Sequence, residues 1–143
     1  MIQLFHVSKV YPPNTTPLKD ISFEIAKGEI VFLAGPSGAG KTTLLKLLFR
    51  EEQPSKGRVL INGKDLSELD RRGVARLRQR MGLVFQEFRF LPHMTVLDNV
   101  ALAALVRGAP KRANYIKAYQ LLRELGLREK IASKPLARSF GSL

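Results

Sequence analysis

The run Gly35-Pro36-Ser37-Gly38-Ala39-Gly40-Lys41-Thr42 fits the pattern G-x-x-x-x-G-K-[ST] and directly follows the apolar stretch Ile30-Val31-Phe32-Leu33-Ala34. No other feature restricts the possible folds as much, because it asks for a strand, a tight loop and a helix in that order. Glycines let a backbone curl until successive N–H groups point inward, at the start of a helix whose positive end faces the same point. The spacing predicts a phosphate cradle. Lys41 would reach the β- and γ-phosphates of a nucleoside triphosphate, and the Thr42 hydroxyl would ligate Mg²⁺. An ordinary glycine-rich turn before an amphipathic helix is the competing reading, and the strand–loop–helix order disfavours it.

The chain has 143 residues, 45% of them hydrophobic, which suits one domain with one core. It has no cysteine, which excludes disulfides, thiolate metal sites and cysteine chemistry and fits a reducing compartment. The longest apolar run, Val100 to Val106, is far below the roughly 20 residues a membrane-spanning helix needs. Met1 is followed by no charged-then-apolar leader, so a cytoplasmic protein is expected. The formal charge is +12, and Arg71, Arg72, Arg76, Arg78 and Arg80 share a segment with no acid. Such a patch is either a solvated helix face or a contact for an anionic membrane surface, with nucleic acid less favoured than both.

The β-branched start Ile2–Tyr11 predicts a strand, ended by Pro12-Pro13-Asn14, and a second is expected over Leu18–Ile25. Residues 30–34 are expected to form a buried strand. The leucines at 44, 45, 47 and 48 are too dense for one face, so the helix after the loop is expected to be buried on most sides. Pro54-Ser55-Lys56-Gly57 breaks the chain before a short strand Arg58–Ile61 and an Asn62-Gly63 hairpin turn. Ser67 with Asp70 predicts the cap of a helix reaching about Arg80, with Leu69, Val74 and Leu77 as its apolar side. Met81–Phe85 is expected to be another buried strand. Helices follow near Val96–Val106 and Arg112–Leu125, the second carrying Ala118, Leu121, Leu122 and Leu125 at helical spacing and stopped by Gly126.

Tyr11 is either a ring that stacks on a base or an edge-strand tyrosine with no ligand. Gln86 closes an apolar strand at the edge where open α/β sheets place ligands, so it touches Mg²⁺ or the attacking water, or merely ends the strand. His6 and His93 lack partners at metal-ligand spacing and are expected to be structural or surface residues. After Gln86 the only acids are Glu87, Asp98, Glu124 and Glu129, and none follows a four-residue apolar strand. No catalytic base is therefore assigned.

Tyr11, Gly35–Thr42 and Val84-Phe85-Gln86 together resemble the A-loop, Walker A and Q-loop of ABC-type nucleotide-binding domains. Within them, Phe5–Tyr11, Gly35–Leu47 and Phe85–Pro92, with Thr95-Val96 and Asn99-Val100, are most similar to the FtsE family of bacterial cell-division ATP-binding proteins. The resemblance implies an α/β P-loop NTPase fold of ABC type, incomplete, with an antiparallel N-terminal β part and the start of a helical subdomain. Residues 1–86 would be the N-terminal part of the ATP-binding core and 87–143 the helical subdomain. The implied ligands are ATP and Mg²⁺, held by Tyr11, Gly35, Pro36, Ser37, Gly38, Ala39, Gly40, Lys41, Thr42, Thr43 and Gln86, with Thr42 and Gln86 at the metal.

The implied partners are an FtsX-like integral membrane protein and, in the full-length family, a second copy in a head-to-tail homodimer. The implied place is the cytoplasmic face of the bacterial inner membrane. Arg138-Ser139-Phe140-Gly141 stands where the family has a Leu-Ser-Gly-Gly signature, with a ring in place of the first glycine. The family's Walker B strand, D-loop and switch histidine have no counterpart before Leu143, so the chain is expected to be a truncated form. Lipoprotein-release and amino-acid transporter ATPases have similar loops, but Phe88-Arg89-Phe90 favours the cell-division family. A basic nucleic-acid-binding module is the reading from another class, disfavoured because no aromatics interleave Arg71–Arg80.

Overall fold

The computed structural model describes residues 1–84, 90–108 and 110–135. The chain divides into two compact units, Met1–Met81 and Gly82–Leu143.

In the first unit, β1 (Ile2–Tyr11), β2 (Thr15–Ile25), β3 (Lys56–Ile61) and β4 (Lys64–Asp65) form an antiparallel sheet in the order β2-β1-β3-β4. Leu4 sits opposite Phe23 on one side and Val59 on the other. Strict alternation would send Leu4 and Val7 to opposite faces, yet both are buried. A bulge resolves this. Both ladders shift register after Leu4 or Phe5, and His6 takes φ 50°. The backbone groups it displaces find side chains: the His6 amide donates to Ser22 Oγ at 2.9 Å and the Asp20 amide to Ser8 Oγ at 2.9 Å. His6 Nδ1 lies 2.8 Å from Asp20 Oδ1 at the exposed surface, a structural role as expected.

Leu4, Val7, Leu18 and Val59 form one core with Leu44, Leu47 and Leu48 of α1 (Lys41–Leu48) and with Leu66. Leu45 is exposed, so α1 is covered along one side rather than on most sides: a single sheet face offers cover to only one stripe. Asp65 caps a 3-10 turn, Leu66–Glu68, by accepting from the Ser67 amide. The helix after it, α2 (Arg71–Gln79), is capped by Asp70 alone, whose carboxylate accepts from the Gly73 amide at 2.6 Å. The Ser67 hydroxyl donates to Asp65 instead, because the intervening turn carries it away from the helix start. Leu69 and Leu77 pack against the core. The Arg78 guanidinium donates to the carbonyls of Phe49 and Arg50, satisfying orphan acceptors at the end of α1.

Residues 30–34 depart most from expectation. They form no strand, and Ile30 and Phe32 are 82% and 90% exposed. Apolar sequence predicts burial, but a strand also needs a neighbour for its ladder, and no described strand runs beside this segment. The described part of the expected 81–85 strand, through Val84, is likewise unpaired, and Val84 is exposed.

In the second unit, α3 (Val96–Leu105) begins with a reciprocal box: the Thr95 hydroxyl accepts from the Asp98 amide, and the Asp98 carboxylate accepts from the Thr95 amide. It packs on α4 (Lys111–Glu124), which buries Asn114, Ala118 and Leu122. Leu121 and Leu125 are exposed, since a helix with one helical neighbour buries an i, i+4 stripe narrower than its apolar sequence allows. The Tyr115 hydroxyl donates to Asp98 Oδ1 at 2.7 Å, tying the two helices. Asp98 is thereby held below its ordinary pKa, first by the Thr95 hydroxyl and then by Tyr115. Among the described residues no helix is long and apolar enough to cross a membrane.

Candidate functional site

The loop from Gly35 to Ala39 lies exposed between the unpaired segment and α1. Gly40 is the N-cap of α1 at φ 85°, buried against β2, so the helix starts at a fixed point on the sheet. Among the described residues no side chain caps this end, and its first turn holds no acid, so the positive end of the helix carries no anionic group of its own. A buried glycine feeding an uncapped helix N-terminus is the geometry that receives an anion. The Lys41 ammonium donates to the carbonyls of Gly35 and Pro36, each at 2.6 Å, which folds a cation over the loop. The exposed Thr42 hydroxyl is next to it in the chain. Gly35–Thr43, picked from sequence, are therefore assembled on one turn. Gln86, Phe88 and Arg138–Gly141 lie outside the described residues. His93 is exposed. Among the described residues no three His, Cys, Asp or Glu side chains gather as a metal site. A hard oxygen-coordinated ion held partly by its ligand's phosphates needs no such cluster, so the hydroxyl and the cradle suit Mg²⁺.

Tyr11, at the end of β1, is half-buried and its hydroxyl donates to Glu52 Oε2 at 2.6 Å. Lys9 Nζ lies 3.0 Å from the same carboxylate oxygen and 5.0 Å from the Tyr11 ring centroid. Lys46 Nζ, on α1, lies 3.2 Å from Glu52 Oε1. The Tyr11 hydroxyl first, with Lys9 and Lys46 behind it, holds the Glu52 carboxyl down at about 2 against an ordinary 4.5. Sequence reasoning missed Glu52. It sits in a turn with no periodicity to mark it, and the only hint was an acid pair, Glu51-Glu52, in a basic chain.

Because the folded state lowers this pKa, its stabilisation is complete above pH 4.5 and is lost as pH falls toward 2. With a fifth of the side chain exposed, the contribution is expected to be about 2 kcal/mol rather than the full shift. Urea unfolding at pH 6 and pH 2.5 should therefore show wild type losing about 1.5 kcal/mol more than Glu52→Gln over that interval. Parallel losses in the two proteins would contradict it.

Of the five arginines between 71 and 80, Arg78 is committed to the end of α1, whereas Arg76 and Arg80 join Lys64 around a surface pocket of about 410 Å³ floored by Leu66, Leu69 and Leu77.

Known proteins resemble this chain in sequence and fold. The family described as ABC transporter matches residues 18–143. The cell division ATP-binding protein FtsE of Bacillus subtilis (strain 168) is 40% identical over 141 residues, which are 99% of this chain and 62% of that protein. FtsE of Escherichia coli (strain K12) is 38% identical over 141 residues, 99% of this chain and 64% of that protein. The methionine import ATP-binding protein MetN 2 of Paraburkholderia xenovorans (strain LB400) is 42% identical over 127 residues, 89% of this chain and 33% of that protein. Among solved structures, a dimeric post-hydrolysis state of the ATP-binding cassette MJ0796 bound to ADP and Pi superposes with a TM-score of 0.82 at 31% identity, covering 94% of this chain and 62% of that one. The chain thus spans under two thirds of the length of these relatives.

Proposed function

Since the chain belongs to the ABC transporter family, we propose that it binds Mg·ATP at Gly35–Thr43 as the nucleotide-binding part of an FtsE-like subunit. The observation that carries this reading is the uncapped start of α1, fixed on the sheet by Gly40 and overhung by Lys41. The loop amides and Lys41 would hold the β- and γ-phosphates, and Thr42 and Gln86 would hold Mg²⁺. Bound there, the ion would neutralise charge on the phosphate oxygens. Tyr11 would offer a ring face to the base. Calorimetry with Mg·ATP tests the site: Lys41→Ala is expected to weaken binding about a hundredfold, the worth of charge-assisted contacts to phosphate. Equal affinity in the two proteins would remove the loop from the reading.

Which membrane protein the subunit serves is the finer part of the proposal. FtsE and methionine-import MetN relatives both match 99% of this chain, at 38–40% and 37% identity, so the choice of an FtsX-like partner at the cytoplasmic face of the inner membrane over an import permease rests on the sequence Phe88-Arg89-Phe90. Half-exposed Phe90 lies in the segment 87–99 that would receive this partner, and exposed arginines of α2 would meet anionic lipid. Crosslinking from position 90 in cells decides between the two partners, since capture of an import permease alone would exclude the cell-division reading.

A further inference from the structure

We propose that Glu52 is a positioning residue for the Tyr11 ring, holding the base-stacking face in register with the phosphate loop; this rests on the reading that Tyr11 stacks on the base. Tyr11 ends β1 and is followed by the exposed turn Pro12-Pro13-Asn14, so the chain beyond it gives its half-buried ring no cover. A ring free to rotate would lose rotamer entropy on meeting a base. The 2.6 Å bond to Glu52 removes that freedom in advance.

Glu52 is in turn fastened to the helix that begins at the phosphate loop. Its amide donates to the Lys46 carbonyl at 3.3 Å, as does that of Glu51 at 2.9 Å, and its carboxylate meets the Lys46 ammonium at 3.2 Å. Lys46 and Lys41 are on the same helix, about 1.4 turns apart. The route from ring to carboxylate to α1 to Lys41 is therefore continuous, and every link is a hydrogen bond or helical backbone. Lys9 adds a choice of side. Its ammonium stands 5.0 Å from the ring centroid while bonding the Gln53 carbonyl at 2.9 Å, so one face of Tyr11 is taken by a tethered cation and a base would use the other. The depressed pKa of Glu52 agrees with a carboxylate that stays ionised, and accepting from Tyr11, throughout the physiological range.

A carboxylate that merely stabilised the fold would affect every ligand alike, whereas one that aims a ring would affect only ligands with a base. The 143-residue chain and its Glu52→Ala, Tyr11→Phe, Tyr11→Ala and double Glu52→Ala, Tyr11→Phe variants, checked for fold by circular dichroism, are titrated with Mg·ATP and with Mg·tripolyphosphate, which has no base. Glu52→Ala and Tyr11→Phe are each expected to weaken Mg·ATP about fivefold, the double variant no more than either, and Mg·tripolyphosphate not at all. Tyr11→Ala should weaken Mg·ATP further, about tenfold or more. Unchanged Mg·ATP affinity in Glu52→Ala and Tyr11→Phe, with Tyr11→Ala still weak, overturns the positioning role and leaves stacking intact. Equal loss for both ligands in Glu52→Ala also overturns it, in favour of a structural role. Unchanged Mg·ATP affinity in Tyr11→Ala overturns the stacking premise itself.

Discussion

Gly57→Ala is expected to destabilise the sheet unit by about 3–4 kcal/mol, a large share of the roughly 5–15 kcal/mol that holds a domain folded. Gly57 lies in β3 at φ 80°, and a methyl group there would overlap the carbonyl oxygens of Phe5 and His6. Those two carbonyls belong to the bulge that lets Leu4 and Val7 both enter the core, and they cannot retreat without undoing the register of β1 on β3. Gly63→Ala is the matched control. It has φ 75° but nothing within 4 Å of an added Cβ, so only the left-handed backbone resists, at about 1 kcal/mol. Urea unfolding followed by circular dichroism should separate the two variants by at least about 2 kcal/mol. Equal midpoints would mean the bulge yields and that its geometry does not fix the register.

Local signals were the legible ones. The hairpin turn Asn62-Gly63 and the Gly126 stop each rest on the chemistry of one or two adjacent residues, and each is present, whereas the Thr95–Asp98 box that starts α3 went unread. The turn into α1 is legible for the same reason: its glycine spacing, Lys41 and Thr42 occupy eight consecutive positions. The Pro54–Gly57 run, by contrast, predicted a break through to 57, whereas β3 already begins at Lys56. A glycine that looks like punctuation is there because β1 leaves no room for a side chain.

What the sequence hid depends on partners distant in the chain. Glu52 meets Tyr11 across 41 residues, and no spacing rule joins a strand end to a turn after a helix. The segment 30–34 has the composition of a buried parallel strand, but composition supplies no neighbour. Phe32, 90% exposed beside Val31 and Leu33, is the clearest sign that hydrophobicity records what a segment is suited to and pairing decides what it does.

Gly40→Ala is expected to cost as much stability as Gly57→Ala and to remove nucleotide binding as well, because this one residue serves both the fold and the loop. At φ 85° an added Cβ would overlap the Pro17 carbonyl oxygen of β2 and come within 2.9 Å of Leu18 Cδ2. Relief requires α1 to move off the sheet, which opens the packing of Leu44, Leu47 and Leu48 on Leu18 and shifts the amides of Lys41–Thr43 from the turn. The predicted losses are about 3 kcal/mol in unfolding free energy and at least about tenfold in Mg·ATP affinity. Gly38→Ala, with φ 80° and no atom within 4 Å of its added Cβ, should cost only about 1 kcal/mol. Calorimetry and urea unfolding on both variants separate the two demands on the loop. If Gly40→Ala kept wild-type affinity and stability, the start of α1 would not be held by β2, and the cradle would need some other support.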